Sequence, residues 1–115
     1  MATINQVQLV APVQMPASDT LFYTAPALTV AKIGRAVFTN TDTVAHAITA
    51  NLVAAAGTSS AANQVISARS VAPGESYVSP ELAGAVLPPG AMLRGLADSA
   101  AKVTLVVSGI QVVGQ

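Results

Sequence analysis

Cysteine and tryptophan are both absent from this 115-residue chain, and histidine occurs once. Without cysteine, the chain can form neither a disulfide framework nor a thiolate metal site. Charged residues make up only 9% of the sequence, whereas ordinary soluble domains contain about a quarter. Catalysis depends on acids, bases, nucleophiles or metal ligands placed together, and few of these are present. We therefore expect a protein that is not an enzyme and that uses no cofactor.

The low charge also restricts the partners. Five basic and five acidic residues give a formal net charge of zero, so there is no basic stripe of the kind that neutralises phosphates. Aromatic residues make up 3% of the chain, too few for a base-stacking platform. We therefore expect no nucleic-acid partner. No apolar run reaches the length of about 20 residues that a membrane-spanning helix needs, so we expect no membrane partner either.

Turn signals recur along the chain, among them Ala72-Pro73-Gly74 and Pro88-Pro89-Gly90. Short segments rich in valine, isoleucine, threonine and aromatic residues lie between them, which is typical of a sandwich or barrel. The sequence predicts an all-β fold, a single β-sandwich or jelly-roll-like barrel over residues 21–115. Residues 1–20 are less regular and are interpreted as an N-terminal arm or a first strand. Deletion of residues 1–16 is expected to weaken partner binding and leave the fold intact.

Four segments show strand periodicity. Val44–Val53 alternates most clearly, and it is predicted to place one set of side chains on the same face: Val44, His46, Ile48, Ala50 and Leu52. In 31–40, Ile33, Arg35 and Val37 are expected to oppose Gly34, Ala36 and Phe38. Residues 64–71 form a further predicted strand. Near the C-terminal end Val103, Leu105 and Val107 share a face, and Ser108-Gly109 is expected to mark a bulge. A short helical turn is expected near Pro80-Glu81-Leu82, because proline suits a first helical turn.

His46 is the only imidazole, and Asp42 is the acid nearest to it in sequence. A catalytic triad would also need an activated serine, but the chain has no Gly-x-Ser-x-Gly elbow. We interpret His46 as a strand residue with a local hydrogen-bond partner. A small hydrolase that uses His46 is the enzymatic alternative.

Three arginines are candidates for contacts with a partner, because the planar guanidinium pairs with carboxylates and carbonyls and is enriched at interfaces. Arg69 lies inside a predicted strand, where its charge must face outward or be paired. Glu75 and Tyr77, beside a predicted turn, complete the set. The candidate interface residues are Arg35, Arg69, Arg94, Glu75 and Tyr77.

Four segments together resemble the small β-sandwich virion proteins of tailed bacteriophages, of the head decoration (cement) type. They are Leu21-Phe-Tyr-Thr-Ala-Pro26, Arg35-Ala-Val-Phe-Thr-Asn-Thr41, Val71-Ala-Pro-Gly-Glu-Ser-Tyr77 and Ser108-Gly-Ile-Gln-Val112. The resemblance covers the chain from about residue 21 onward. It implies a protein that binds the outer surface of the major capsid protein and stabilises the head by bridging subunits.

The resemblance also implies a location in the virion. Synthesis in the host cytoplasm is expected, because Met1-Ala-Thr-Ile-Asn-Gln shows no basic stretch followed by an apolar one. Association with itself as a dimer or trimer is expected from the prevalence of symmetric oligomers. Two further alternatives are a tail, neck or fibre-associated virion protein and a cell-surface or glycan-binding module.

Overall fold

Nine antiparallel strands and one short helix make up the fold in a computed structural model that describes residues 3–114. The strands are β1 Thr3–Gln14, β2 Thr20–Thr24, β3 Thr29–Asn40, β4 His46–Val53, β5 Gln64–Val71, β6 Ser76–Val78, β7 Val86–Leu87, β8 Met92–Ala97 and β9 Val103–Val113. A 3₁₀-helix at Ala61–Asn63 precedes β5. The predicted all-β fold is confirmed, and the predicted strand over 64–71 has the bounds of β5.

The strands form two sheets. Sheet A has the order β1-β9-β3-β6, and β7 also pairs with β3. Sheet B has the order β2-β8-β4-β5. Because β6 and β7 both lie along the same strand, they act as one interrupted edge, which leaves four strand positions in each sheet. An eight-position, two-sheet arrangement of this kind is a jelly-roll sandwich.

The core lies between the sheets and consists of small and branched side chains. Its fully buried members include Ala31, Ile33, Phe38, Ile48, Leu93, Leu105 and Val107. The alternation predicted for β4 is confirmed for Ile48 and Ala50, which are buried in the core, and for Leu52, which packs against it. It is wrong at Val44, which precedes the strand and is 55% exposed. The shared face of Val103, Leu105 and Val107 is also confirmed.

The alternation predicted for β3 is wrong at one point. The pairing of β3 with β9 shifts between Ile33 and Arg35, so an extra residue in β3 reverses the side-chain direction. As a result Ile33 is buried on the same face as Ala36 and Phe38. The bulge thus lies in β3, beside the position expected for it in β9.

Gly109 serves close packing in a regular stretch of β9. A Cβ atom placed on it would collide with the carbonyl oxygen of Lys32 and would lie 3.0 Å from Leu9 Cδ1. Glycine is required here because two strand backbones approach each other closely. The expected helical turn near Pro80 is a hydrogen-bonded turn, in which Ala83 N–H donates to the Ser79 carbonyl at 3.3 Å.

β1 occupies most of the N-terminal segment. Its residues pair with β9 from Thr3 opposite Val113 to Gln14 opposite Thr104, and Leu9 and Val10 are buried in the core. Met15, directly after β1, is fully buried. The expectation that residues 1–16 can be deleted without loss of the fold is therefore revised. The sequence divided the chain into a segment of residues 1–20 and a domain of residues 21–115. Residues 1, 2 and 115 lie outside the part of the chain that the structure describes.

Candidate interaction surfaces

Arg69 and Tyr77, two of the candidate interface residues, contact each other where the two sheets meet. Arg69 is on β5 of sheet B and Tyr77 is on β6 of sheet A. The Arg69 guanidinium carbon lies 4.5 Å from the centroid of the Tyr77 ring, which is the geometry of a cation–π contact. The Tyr77 ring also stacks on Phe38, with ring centroids 6.3 Å apart. The stack bridges the sheets at this side of the sandwich.

Glu81 completes this cluster and was not predicted. Its carboxylate accepts hydrogen bonds from the Tyr77 hydroxyl and, at 3.1 Å, from Ser79 Oγ. The bond from Tyr77 holds the pKa of Glu81 below its usual range. Burial, followed by the neighbouring Glu81 carboxylate, raises the pKa of Tyr77. The tyrosine hydroxyl is therefore a hydrogen-bond donor within the chain at ordinary pH.

Arg94 lies on sheet B, away from the Arg69 cluster. Its Nε donates to Asp19 Oδ2 at 2.9 Å, and Asp19 Oδ1 accepts from Ser59 Oγ at 2.9 Å. The ion pair links β8 to the segment before β2 and to the loop after β4. Arg94 therefore has a partner in its own chain.

Arg35 and Glu75 are both exposed, but they lie apart in the fold. Arg35 follows the bulge of β3, opposite Ser108, and borders a shallow groove formed by β1, β3 and β9. Glu75 lies in the turn before β6, where its backbone carbonyl accepts from Asn40 N–H at 2.9 Å. The five candidates thus occupy separate places, and only Arg69 and Tyr77 are brought into contact.

The outer face of sheet A carries two apolar rows, separated by positions that include Gln6, Gln8, Lys32 and Arg35. Ile4 lies opposite Val112, which lies opposite Val30, so the three side chains form a row across the sheet. A second row joins Val106, Val37 and Val78. Ile4 is 67% exposed and Val78 is 47% exposed. The strands of sheet A carry only two charged residues, Lys32 and Arg35, and no acid.

His46 is held between two carboxylates. Its Nε2 lies 2.7 Å from Asp42 Oδ2, and its Nδ1 lies 2.7 Å from Asp98 Oδ1. The second oxygen of Asp98 accepts from Ala47 N–H at 3.0 Å. The two carboxylates engage both ring nitrogens of His46. Neither nitrogen is therefore free to act as the base for a serine nucleophile. Asp98 was missed by sequence reasoning, since it is 52 residues away from His46 along the chain.

The hydrogen bonds to Asp42 and then to Asp98 raise the pKa of His46 above its ordinary value. The same bond from His46 lowers the pKa of Asp42. The charged imidazolium can donate to both carboxylates, whereas the neutral ring has only one N–H. The cluster therefore fastens the start of β4 to the loop after β8 most firmly when His46 is protonated.

An apolar hollow of about 280 Å³ opens between the end of β4 and the segment after β7. Its lining residues are Leu52, Val53, Ala54, Ala55, Val86, Leu87, Pro88, Pro89 and Ala91. None of these side chains can donate a proton, attack a substrate or ligate a metal. Over residues 3–114, no group of three or more histidine, cysteine, aspartate or glutamate residues is arranged to hold a metal ion. Within the same range, no helix is long and apolar enough to cross a membrane.

No protein-family model matches the chain, and no curated protein matches it. Among solved structures, it is similar to Bacillus endospore appendages, described as a novel family of disulfide-linked pili. That match has 14% identity and a TM-score of 0.60, and it covers 100% of this chain and 92% of the appendage chain. Because this chain contains no cysteine, it cannot form disulfide links of its own.

The fold is also similar to capsid structures of infectious bursal disease virus. The Gx strain matches with 12% identity and a TM-score of 0.54, covering 97% of this chain. The VP2 subviral particle matches with 14% identity and a TM-score of 0.50, covering 96% of this chain. The chain spans only 32% of each viral chain. These likenesses establish a sandwich fold shared with virion and appendage proteins, and they do not single out phage decoration proteins.

Proposed function

We propose that this chain is a structural protein of a virion, and specifically a decoration protein that binds the outer surface of a tailed-phage head. In this role it bridges neighbouring subunits of the major capsid protein. Binding to the assembled shell and not to its separated parts stabilises the shell by mass action. The proposal includes location in the virion and the absence of enzymatic activity.

The outer face of sheet A carries the proposal. Its two apolar rows, Ile4–Val112–Val30 and Val106–Val37–Val78, are exposed at Ile4 and Val78 and half-buried at the other four valines. Lys32 and Arg35 are the only charged residues on the strands of this sheet. Interface cores are depleted in charged residues, and exposed apolar patches mark contact sites. The two cations are suited to carboxylates on a capsid surface.

Two observations weigh against the other roles. Both nitrogens of His46 are engaged by carboxylates, which disfavours a hydrolase. The four aromatic rings are all occupied within the chain, because Phe38 is buried, Phe22 and Tyr23 pack against the core, and Arg69 covers Tyr77. A glycan-binding module commonly offers an open aromatic platform, and this chain does not use its rings in that way.

A subunit of an extracellular filament is a second candidate. It is favoured by the extent of the appendage match, which covers 92% of that chain, against 32% for the viral chains. In such a filament this cysteine-free chain would associate without disulfide links. A position in the phage tail, neck or fibre would use the same fold and the same exposed face.

The location is tested by gold-labelled antibody on particles of the phage that encodes the chain, viewed by electron microscopy. Label distributed over the heads is expected. Label confined to tails would replace the decoration role by the tail alternative. Label on cellular filaments would favour the filament subunit, and absence of label from every particle would overturn the virion role.

The binding face is tested by co-sedimentation of the purified chain with undecorated heads. Val78→Lys places a charge in the second apolar row and is expected to abolish co-sedimentation. Val44→Lys is the matched control, because Val44 is 55% exposed and lies in the turn before β4. Retention of the Val78→Lys variant on heads would show that another face binds.

A further inference from the structure

Each sheet of the sandwich ends in strands with one unpaired side, and most of these edges are poor templates for another strand. β6 and β7 have three and two residues. β2 has five residues and an irregular register between Leu21 and Tyr23. β5 is interrupted by two register shifts, contains Ala68 at a φ of 47°, and carries the charged Arg69. Short length, bulges and charge are the features by which proteins protect sheet edges.

The first half of β1 has none of these protections. Thr3–Gln8 pairs with β9 in an unbroken register, from Thr3 opposite Val113 to Gln8 opposite Ser108. Five of its six side chains are exposed. The first charged residue of the sequence is Asp19, so no residue of this segment of β1 carries a charged side chain. It is the long, regular and uncharged edge within residues 3–114.

We infer that Thr3–Gln8 is a docking edge for the same segment of a second copy, with the two strands paired antiparallel about a twofold axis perpendicular to sheet A. This inference does not depend on the virion role. A twofold contact uses the same surface of both copies, and an uncharged segment can pair with itself without placing like charges opposite each other.

The side chains of this segment support self-pairing. Asn5 and Gln6 lie at its centre and are exposed. Neighbouring strand residues point to opposite faces, so the axis passes beside one of the two, and that amide offers both a donor and an acceptor to its counterpart. With this axis, sheet A of one copy continues into sheet A of the other. The Ile4–Val112–Val30 rows of the two copies then lie on the same outer face and flank the junction.

Sedimentation analysis of the full chain tests the inference, with the 11.5 kDa chain expected to sediment as a dimer at micromolar concentration. Gln6→Lys places two ammonium groups near each other at the junction and is expected to weaken dimerisation by about tenfold or more. Ser67→Lys, at an exposed position of β5, is the matched control and is expected to leave the dimer intact. Circular dichroism verifies that both variants are folded.

Single cysteines provide an independent readout, since the natural chain has none. Asn5→Cys and Gln6→Cys lie at the centre of the segment, so at least one of them is expected to form a disulfide-linked dimer under mild oxidation. Ser67→Cys is expected to stay monomeric on a non-reducing gel. The inference would be overturned if the natural chain were monomeric or if its dimer were insensitive to Gln6→Lys. It would also be overturned if both lysine variants dissociated the dimer equally, or if Ser67→Cys cross-linked as well as the cysteines in β1.

Discussion

Arg69 and Tyr77 meet across the gap between the two sheets, with the guanidinium carbon 4.5 Å from the ring centroid. The two residues belong to edge strands that share no backbone hydrogen bond, since β5 is in sheet B and β6 is in sheet A. Their contact therefore holds together two elements that the sheet hydrogen bonds leave independent. It also assigns to Arg69 a role inside its own chain, beside the interface role expected from sequence.

Replacing Arg69 by alanine is predicted to lower the free energy of unfolding by about 0.5–1 kcal/mol, the value of a partly exposed cation–π contact. Arg69→Lys is predicted to retain part of this stabilisation, because lysine keeps the positive charge but loses the planar stacking of the guanidinium. Urea denaturation measures both. Arg35→Ala is the control, since Arg35 is exposed and surface substitutions change stability by less than about 0.5 kcal/mol. Equal effects of the two alanine variants would show that the contact with Tyr77 is not stabilising.

The His46 cluster is predicted to make stability depend on pH on both sides of a window. The pKa of His46 is raised above 6.5, so its contribution is complete below pH 6.5 and is lost as the pH rises through the raised value. The pKa of Asp42 is lowered below 3.8, so its contribution is complete above that pH and is lost as the pH falls through the lowered value. The His46 cluster therefore contributes most to the free energy of unfolding between pH 3.8 and 6.5.

The comparison of the natural chain with His46→Gln across this pH range measures the effect. The difference between their urea midpoints is expected to be largest inside the window and to shrink at higher pH. Because the chain has a single histidine, one NMR imidazole titration gives its pKa directly. A titration midpoint at or below 6.5 would contradict the role of the two carboxylates.

Gly109→Ala is predicted to destabilise the fold by about 1–3 kcal/mol, the usual cost of overpacking. The added methyl would collide with the Lys32 carbonyl, and the backbone there cannot move without disturbing the β3–β9 pairing. Gly34→Ala is the matched control, because its nearest contact would be the Ser108 carbonyl oxygen at 3.4 Å. Thermal unfolding followed by circular dichroism compares the two. A harmless Gly109→Ala would mean that the strands separate more easily than their spacing indicates.

Deletion of residues 1–16 is predicted to abolish cooperative unfolding. It removes the buried Leu9, Val10 and Met15, and truncating one such side chain typically costs about 2–5 kcal/mol. The whole stability of a domain is about 5–15 kcal/mol. Met15→Ala provides the milder test, with an expected loss of about 2–5 kcal/mol. A deletion variant that unfolds cooperatively, close to the natural midpoint, would show that β1 is an accessory arm after all.

Much of the strand pattern was predictable because strand periodicity is a local property. Ile48, Ala50 and Leu52 alternate with polar or small residues, and their shared face could be assigned from spacing alone. The bulge in β3 was not predictable at its position, because Gly34 occurs in a segment whose alternation fits a regular strand equally well. Only the pairing with β9 shows which residue is extra.

The contacts among candidate residues depend on pairings that are distant in sequence. Asp98 reaches His46 through the pairing of β4 with β8, in which Ile48 lies opposite Ala97. Tyr77 meets Arg69 because β5 and β6 are the edges of different sheets on the same side of the sandwich. The sequence predicted that the charge of Arg69 either has a partner or faces outward. It contained no local signal that decided between these two possibilities. The edge position of β1 likewise depends on β9, which comes last along the described chain.

The position of β9 between β1 and β3 has a consequence for the newly made chain. Neither β1 nor β3 can complete its pairing in sheet A until residues 103–113 have left the ribosome, because β9 is the strand that joins them. Translation therefore releases β1 before any neighbour in sheet A exists, whereas β3 has the short strands β6 and β7 available on its other side before β9 is made. Unpaired strands are prone to aggregate, so the twelve residues of β1 are the part of sheet A that waits longest for its partner during synthesis.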